Sequence, residues 1–239
     1  MIKTDELLYQ IDFKLNKLAS NRHQAIPLED KILALNEAQI RLIKKKVNLN
    51  NLYKMGFDSF KSRYQDLQGL VVDYEKVKPK VTDSILDTYA FKLDSLNHSY
   101  YLPVDTYLIA HNDTCRDKII YIPRITKHGD VTTLLNNPHY APSFRYQEGL
   151  MTISGDEFIF YTGGEFEIDS VLFSYIRYPK KIDYEGYIHL DGTPSVNQDC
   201  ELPMYLQDEL LELTIMELGF NTNNNNAAQA AIQKSQNSE

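Results

Sequence analysis

The chain has 239 residues, 43% hydrophobic and 24% charged, with 33 Asp and Glu against 25 Lys and Arg for a formal net charge of −8. That acidity excludes a dedicated nucleic-acid binder, which needs a basic face to neutralise phosphates, but it suits a conduit through which DNA must slide without sticking. No apolar run approaches the roughly 20 residues needed to span a bilayer, and the opening MIKTDELLYQ has no basic segment followed by an apolar core, so synthesis in the cytoplasm is expected.

From Thr4 to Leu18 the apolar residues Leu7, Leu8, Ile11, Leu15 and Leu18 recur at steps of three and four. With Thr4 as a cap and Asp5 and Glu6 in the first turn, this segment reads as a helix. After Pro27, the stretch LEDKILALNEAQIRLIKKKV reads as a second helix, opened by Glu29 and Asp30 and closed by Lys44, Lys45 and Lys46. That polarity complements the helix dipole and explains the lysine run without a ligand. Ile32, Leu33, Leu35, Ile40, Leu42, Ile43 and Val47 fill more than one stripe, and Ala34 and Ala38 permit close approach, so the helix should pack on two sides. Phe57, Phe60, Tyr64, Leu67 and Val71 continue as a third helical seam, and three helices on short connectors imply an antiparallel bundle. Pro79 marks a boundary, beyond which VTDSILDTYAFKL fits a short helix or a strand equally well.

From about Tyr100 the texture changes to short segments rich in β-branched and aromatic residues: YYLPVDTYLIAH, DKIIYIPRIT, DVTTLL, LMTISGDEFIFYT and FEIDSVLFSYIRY. Lys127 to Asp130, Ser154 to Asp156 and Thr162 to Gly164 each supply a glycine and read as hairpin turns within a small antiparallel sheet or sandwich. The last strand, Val171 to Tyr178, closes on Pro179, which has no N–H for a ladder and so should end it at an edge. Pro203 suits the first turn of a closing helix, ELPMYLQDELLELTIMELG. On it Leu206, Leu210, Leu213 and Glu217 form one stripe while Leu211, Ile215 and Leu218 widen it, an excess of apolar surface that suggests an assembly. Gly219 is placed to supply a left-handed stop, and the tail beyond it is too poor in large apolar residues to fold alone. The chain is thus an α+β protein. Residues 1–95 are mainly helical, 96–190 form a β-rich insertion, 191–220 hold a loop and the helix that completes the bundle, and 221–239 form an extended arm.

Motifs for catalysis are weak. Thr162-Gly163-Gly164-Glu165 lacks the Lys-Ser or Lys-Thr of a phosphate loop, and the six histidines show no spacing that sets two metal ligands on one element. Cys115 and Cys200 form no Cys-x-x-Cys pair and read as buried thiols. Asp156 with Glu157, or Asp183 with Glu185, have the composition of a glycosidase pair, although acids at turns and strand ends are more often solvated. No Gly-x-Ser-x-Gly is present, so neither an enzyme nor a bound cofactor is expected. Arg177-Tyr178-Pro179-Lys180-Lys181 joins three cations to a tyrosine and suits an acidic neighbour, or simply a solvated strand end. In the tail, Ala227 to Gln233 has helix propensity but is too short to be stable alone.

Three stretches resemble the head-to-tail adaptor proteins of short-tailed phages, the tail tubular protein A group, and more closely the ring proteins of crAss-like phages. Ile26-Pro27-Leu28-Glu29-Asp30 running into Leu35-Asn36-Glu37-Ala38-Gln39 resembles their early Leu-Asn-x-Ala helix. Val171 to Asp183 resembles their strand ending in a Tyr-x-Arg-x-Pro-like sequence, and Glu201 to Gly219 their closing helix. The resemblance implies a helical bundle with a β insertion, assembled with copies of itself as a dodecameric ring at the portal vertex of the virion. It further implies contacts with the portal protein and with other tail or ring proteins, transient passage of DNA, and no membrane partner. By matching position, the arm with Asn221, Ala227, Ala231 and Ile232 would reach the portal or a neighbour, and Arg177, Tyr178, Lys180 and Lys181 would form a further contact. The alternative is a glycan- or receptor-binding tail module built on the tyrosine-rich β region, and a virion hydrolase stands third.

Overall fold

The computed structural model describes residues 1–18, 26–47, 65–83, 88–121 and 125–221. Helices α1 (Thr4–Leu18), α2 (Leu28–Val47), α3 (Val131–Leu135) and α4 (Gln207–Asn221) accompany strands β1 (Val71–Val77), β2 (Lys80–Asp83), β3 (Thr88–Lys92), β4 (Tyr100–Asn112), β5 (Cys115–Tyr121), β6 (Leu150–Ser154), β7 (Glu157–Tyr161) and β8 (Glu167–Arg177). The protein is α+β, and it divides into two compact units: Met1–Leu70 joined by Pro179–Glu239, and Val71–Tyr178 between them. The arm residues 222–239 lie outside the described residues.

In the first unit, the amphipathic spacing of α1 turns Leu7, Ile11 and Leu15 inward and leaves Tyr9 and Phe13 exposed. Thr4 does not cap its own helix. Its hydroxyl donates to the Gln198 carbonyl, and its amide donates to Asp199 Oδ1 at 3.0 Å, so the helix start is capped from a distant segment. Ile2 forms a bridge with Cys200 that fixes this meeting. Helix α2 buries Ile32, Ala34, Leu35, Ala38, Gln39, Leu42 and Ile43, whereas Leu33, expected among the packed residues, is exposed and Ile40 and Val47 are only partly buried.

Helix α4 packs against α2 and α1, and Leu210, Leu211, Leu213, Thr214, Ile215, Met216 and Leu218 are all buried. The wide apolar surface that suggested an assembly is therefore consumed inside the chain. Thr214 is tolerated there because its hydroxyl donates to the Leu210 carbonyl at 2.8 Å. Gly219 lies within α4, which runs on to Asn221, and so does not supply the stop. Lys45 and Lys46 meet carboxylates as well as the dipole: Lys45 Nζ lies 3.6 Å from Glu209, Lys46 Nζ lies 2.8 Å from Glu209 and 3.2 Å from Asp66, and Arg41 pairs with Glu217. Burial opposes the Lys46 charge, but Glu209 and Asp66 reverse that and raise its pKa.

The expected third helical seam has residues 57–64 outside the described residues, and its last member, Val71, begins a strand instead. Segment 71–92, which the sequence reading placed in the helical region, carries β1, β2 and β3, so the open choice at VTDSILDTYAFKL resolves to strand where it is described. β-Branched and aromatic residues at Val71, Val72, Val77, Val81 and Tyr89 favour the pleated surface.

The second unit is a sandwich of two antiparallel sheets, ordered β1-β8-β4-β5 and β2-β3-β7-β6. Alternation along β8 points Val171, Phe173 and Tyr175 into a core shared with Phe91, Leu108, Met151, Phe158 and Phe160 from both sheets. First and last strands pair, with Val71 opposite Ile176, so the insert leaves and re-enters the first unit through adjacent strand ends. Strand β8 is consequently interior, not an edge; Pro179 still ends it, after the Tyr178 amide donates to Ser99.

Of the three expected hairpins, one forms. Gly155, at φ 56, turns β6 into β7 with Ser154 opposite Glu157. Thr162 to Gly164 instead carries the chain from one sheet to the other, with Gly163 and Gly164 at φ 59 and 76. Lys127 to Asp130 leads through a 3₁₀ turn into α3, so DVTTLL is helical where a strand was expected. The placement of Val131 beside Leu150 and Tyr161 outweighs the β propensity of Val-Thr-Thr.

Candidate interaction surface

Of the two acid pairs considered for catalysis, one is built around a carboxylate that is fully engaged in hydrogen bonds. Asp183 Oδ1 accepts hydrogen bonds from the Tyr184 amide (2.9 Å) and the Tyr187 hydroxyl (2.7 Å), and Oδ2 from His189 Nε2 (3.0 Å) and the Val196 amide (2.9 Å). Both oxygens thus carry two donors each. Burial pushes the Asp183 pKa up, and those four hydrogen bonds, led by Val196, more than reverse it, holding the carboxyl below its ordinary value. Its presumed partner Glu185 is exposed and accepts from Asn197. In the other pair, Asp156 lies in the β6–β7 turn, and Glu157 lies 3.7 Å from Lys92. Among the described residues, no three His, Cys, Asp or Glu side chains converge as a metal site, and no helix is long and apolar enough to cross a membrane.

What Asp183 builds is a finger. Bridges pair Asp183 with Gln198 and Ile188 with Pro194, and Asn36 of α2 clamps the root by donating to the Ile182 carbonyl (2.8 Å) and accepting its amide (2.8 Å). Ser195 Oγ accepts the Gly186 and Tyr187 amides, each at 3.1 Å. At the tip, Asp191 accepts the Thr193 amide and hydroxyl, and Gly192 takes φ 82, which a Cβ would disfavour. On this fixed backbone Ile188 and Val196 are 70% and 62% exposed, and Leu190 is exposed fully, at 110%.

The contact residues expected from sequence are divided by the fold. Arg177 ends β8 with Nη1 3.3 Å from the Tyr178 carbonyl, and the half-exposed Tyr178 ring meets Tyr101 at 4.7 Å. Those two belong to the sandwich, whereas Lys180 and Lys181 belong to the helical unit. Lys180 is held by Glu201, its amide at 2.9 Å and its ammonium at 3.8 Å, so its charge already has an acidic partner; Lys181 is exposed. Asn221 is the last residue of α4, and Ala227, Ala231 and Ile232 lie outside the described residues. Sequence reasoning missed the finger because it has no hydrophobic period. Its available signals were the Asp-Gly-Thr turn and the hydrogen-bonding side chains of Asp183, Tyr187, His189 and Ser195 within a short span.

Cys200 is the buried thiol that its lone placement implied; the Cys115 side chain lies outside the described residues. Burial pushes the Cys200 thiol up to about 11, so native Cys200 in a Cys115→Ser background should react with a thiol reagent on the order of 100-fold slower than after denaturation. Comparable labelling rates in the two states would refute the buried bridge to Ile2.

Against known protein families and curated proteins, the sequence matches no family model and no curated relative. Fold and site together define a two-unit α+β chain, in which a helical unit is interrupted by a β-sandwich and presents an ordered apolar finger.

Proposed function

We propose that this chain is a structural virion protein, an adaptor ring that joins portal to tail at the portal vertex and lines the DNA passage. The observation that carries this reading is the interrupted helical unit. Helices α1 and α2 precede, and α4 follows, a β unit inserted between Leu70 and Pro179, which is the element order that the resemblance to phage adaptors implies. The net charge of −8 fits a wall past which a duplex must slide rather than bind. Ring partners are copies of the chain, the portal protein and adjoining tail proteins.

The test is the absolute mass of the purified chain, alone and with the portal protein of the same phage, for the full chain and for one ending at Asn221. A large closed oligomer, or portal-dependent assembly lost on truncation, is expected. A monomer indifferent to both changes rejects the adaptor. It would shift the reading to a glycan- or receptor-binding module, for which the exposed Tyr74 ring, 5.8 Å from Tyr107, is the surface to examine.

A further inference from the structure

The finger holds Ile188, Leu190 and Val196 in water on a backbone that is hydrogen-bonded throughout its turns. Aliphatic side chains kept exposed on a rigid support are preorganised for a contact, because little conformational entropy remains to be lost when they are covered. Among the described residues, none covers Leu190.

Charge points to what does. The apolar residues are accompanied by exposed carboxylates, Glu185 below the tip and Asp191 at it, so the matching surface is apolar with a cation beside it. The outer face of α2 has that composition. Leu33 is 57% exposed, Ile40 is half-buried on the same stripe, and Lys44 follows one turn later, exposed and in no ion pair among the described residues. Glu29 and Glu37 also lie on this stripe, which leaves the lysine end as the favourable side for an acidic tip. Leu33 to Lys44 spans about 16 Å along the helix, enough to receive a two-stranded tip.

The two surfaces are different parts of one unit. The finger meets the first half of α2, its root held at Asn36 and Leu28 Cδ2 lying 3.6 Å from the position a Cβ on Gly186 would take, whereas the stripe runs on to Lys44 near the other end. A contact between unlike surfaces is head-to-tail, the kind that closes into a ring or extends as a filament.

We propose that the finger of one copy docks on the outer face of α2 of a second copy, with Leu190 and Ile188 over Leu33 and Ile40 and Asp191 directed to Lys44. The closed form of this assembly rests on the adaptor reading; the contact itself does not. Sedimentation velocity of the full chain, alone over a range of concentrations and with the portal protein, tests it. Leu190→Asp should weaken self-association roughly 30-fold or more, as for the loss of a central interface anchor. Asp191→Lys and Lys44→Glu should each weaken it by about tenfold and restore it when combined. Leu190 is fully exposed and packs against none of the described residues, so the variant should keep the wild-type circular dichroism and melting profile.

Wild-type assembly by Leu190→Asp, with no effect of the charge reversals, overturns the finger contact and leaves the adaptor ring standing. An open filament sensitive to Leu190 supports the contact and removes the closed ring. Loss of portal binding with self-association intact overturns the second copy as occupant, and a wild-type monomer under every condition overturns both proposals.

Discussion

Phe173→Ala is expected to lower the stability of the sandwich by about 3–5 kcal/mol, a large share of the 5–15 kcal/mol that typically separates a folded domain from its unfolded chain. Phe173 is fully buried on the interior strand β8. Its ring lies 4.8 Å from Phe158 and 5.4 Å from Phe91 in the facing sheet, and 5.4 Å from Tyr175 on its own strand. Removing it empties the place where the two sheets meet, and rigid aromatic neighbours with fixed rotamers cannot collapse into the space without shifting a strand. Phe173→Leu keeps most of the volume and should cost far less, about 1.5 kcal/mol or below. Urea unfolding followed by tyrosine fluorescence and far-ultraviolet circular dichroism measures both. A loss below about 1 kcal/mol for the alanine variant would mean that the sandwich is not organised around this ring.

How far such a core was legible in the sequence follows from what each residue responds to. The helices α1 and α2 could be read because Leu7, Ile11 and Leu15, or Ile32, Leu35 and Leu42, answer to a local period that burial then uses. The strands of the sandwich were visible as texture, since Phe158, Phe160 and Phe173 favour a pleated surface whatever their neighbours. Pairing was not visible. That β8 is interior follows from β1 returning to lie beside it, a contact between Val71 and Ile176 that no local pattern encodes. The glycine turns divided for the same reason: Gly155 and Gly163 both take positive φ, but only partner strands decide whether a turn closes a hairpin or changes sheet. Val131 shows the reverse case, a β-branched residue drawn into helix by its contacts. The wide apolar surface of α4 suggested an assembly, whereas α1 and α2 of the same chain cover it, because sequence alone cannot say to which chain a covering surface belongs. The finger escaped notice because its order comes from single hydrogen bonds to one carboxylate rather than from a repeated pattern.

That carboxylate is the second place where one atom group decides a structure. Asp183→Asn is expected to destabilise the helical unit and its finger by about 2–3 kcal/mol, in the range for losing hydrogen bonds to a charged group. An amide keeps the size but offers one oxygen where the carboxylate offers two. Its NH₂ would then face donors it cannot accept, either His189 Nε2 and the Val196 amide or the Tyr187 hydroxyl and the Tyr184 amide. The side chain is only 10% exposed, so water does not readily substitute. Acid should have the same effect reversibly. The Asp183 pKa is lowered from its ordinary 3.8, so the unfolded chain takes up this proton first as pH falls. The contribution is therefore complete above pH 3.8 and is lost as pH drops through the lower folded value. Denaturation of wild type and variant from neutral pH downward should show a constant gap that narrows only below about pH 4, as the wild-type advantage disappears. A gap that closes already near neutral pH would overturn the assignment of this contribution to the Asp183 carboxylate. Proteolysis within 184–196, rapid in the variant and slow in the wild type, would show that the finger has loosened. Because the aliphatic tip serves a partner only while its support is rigid, Asp183→Asn should also weaken self-association with Leu190 untouched.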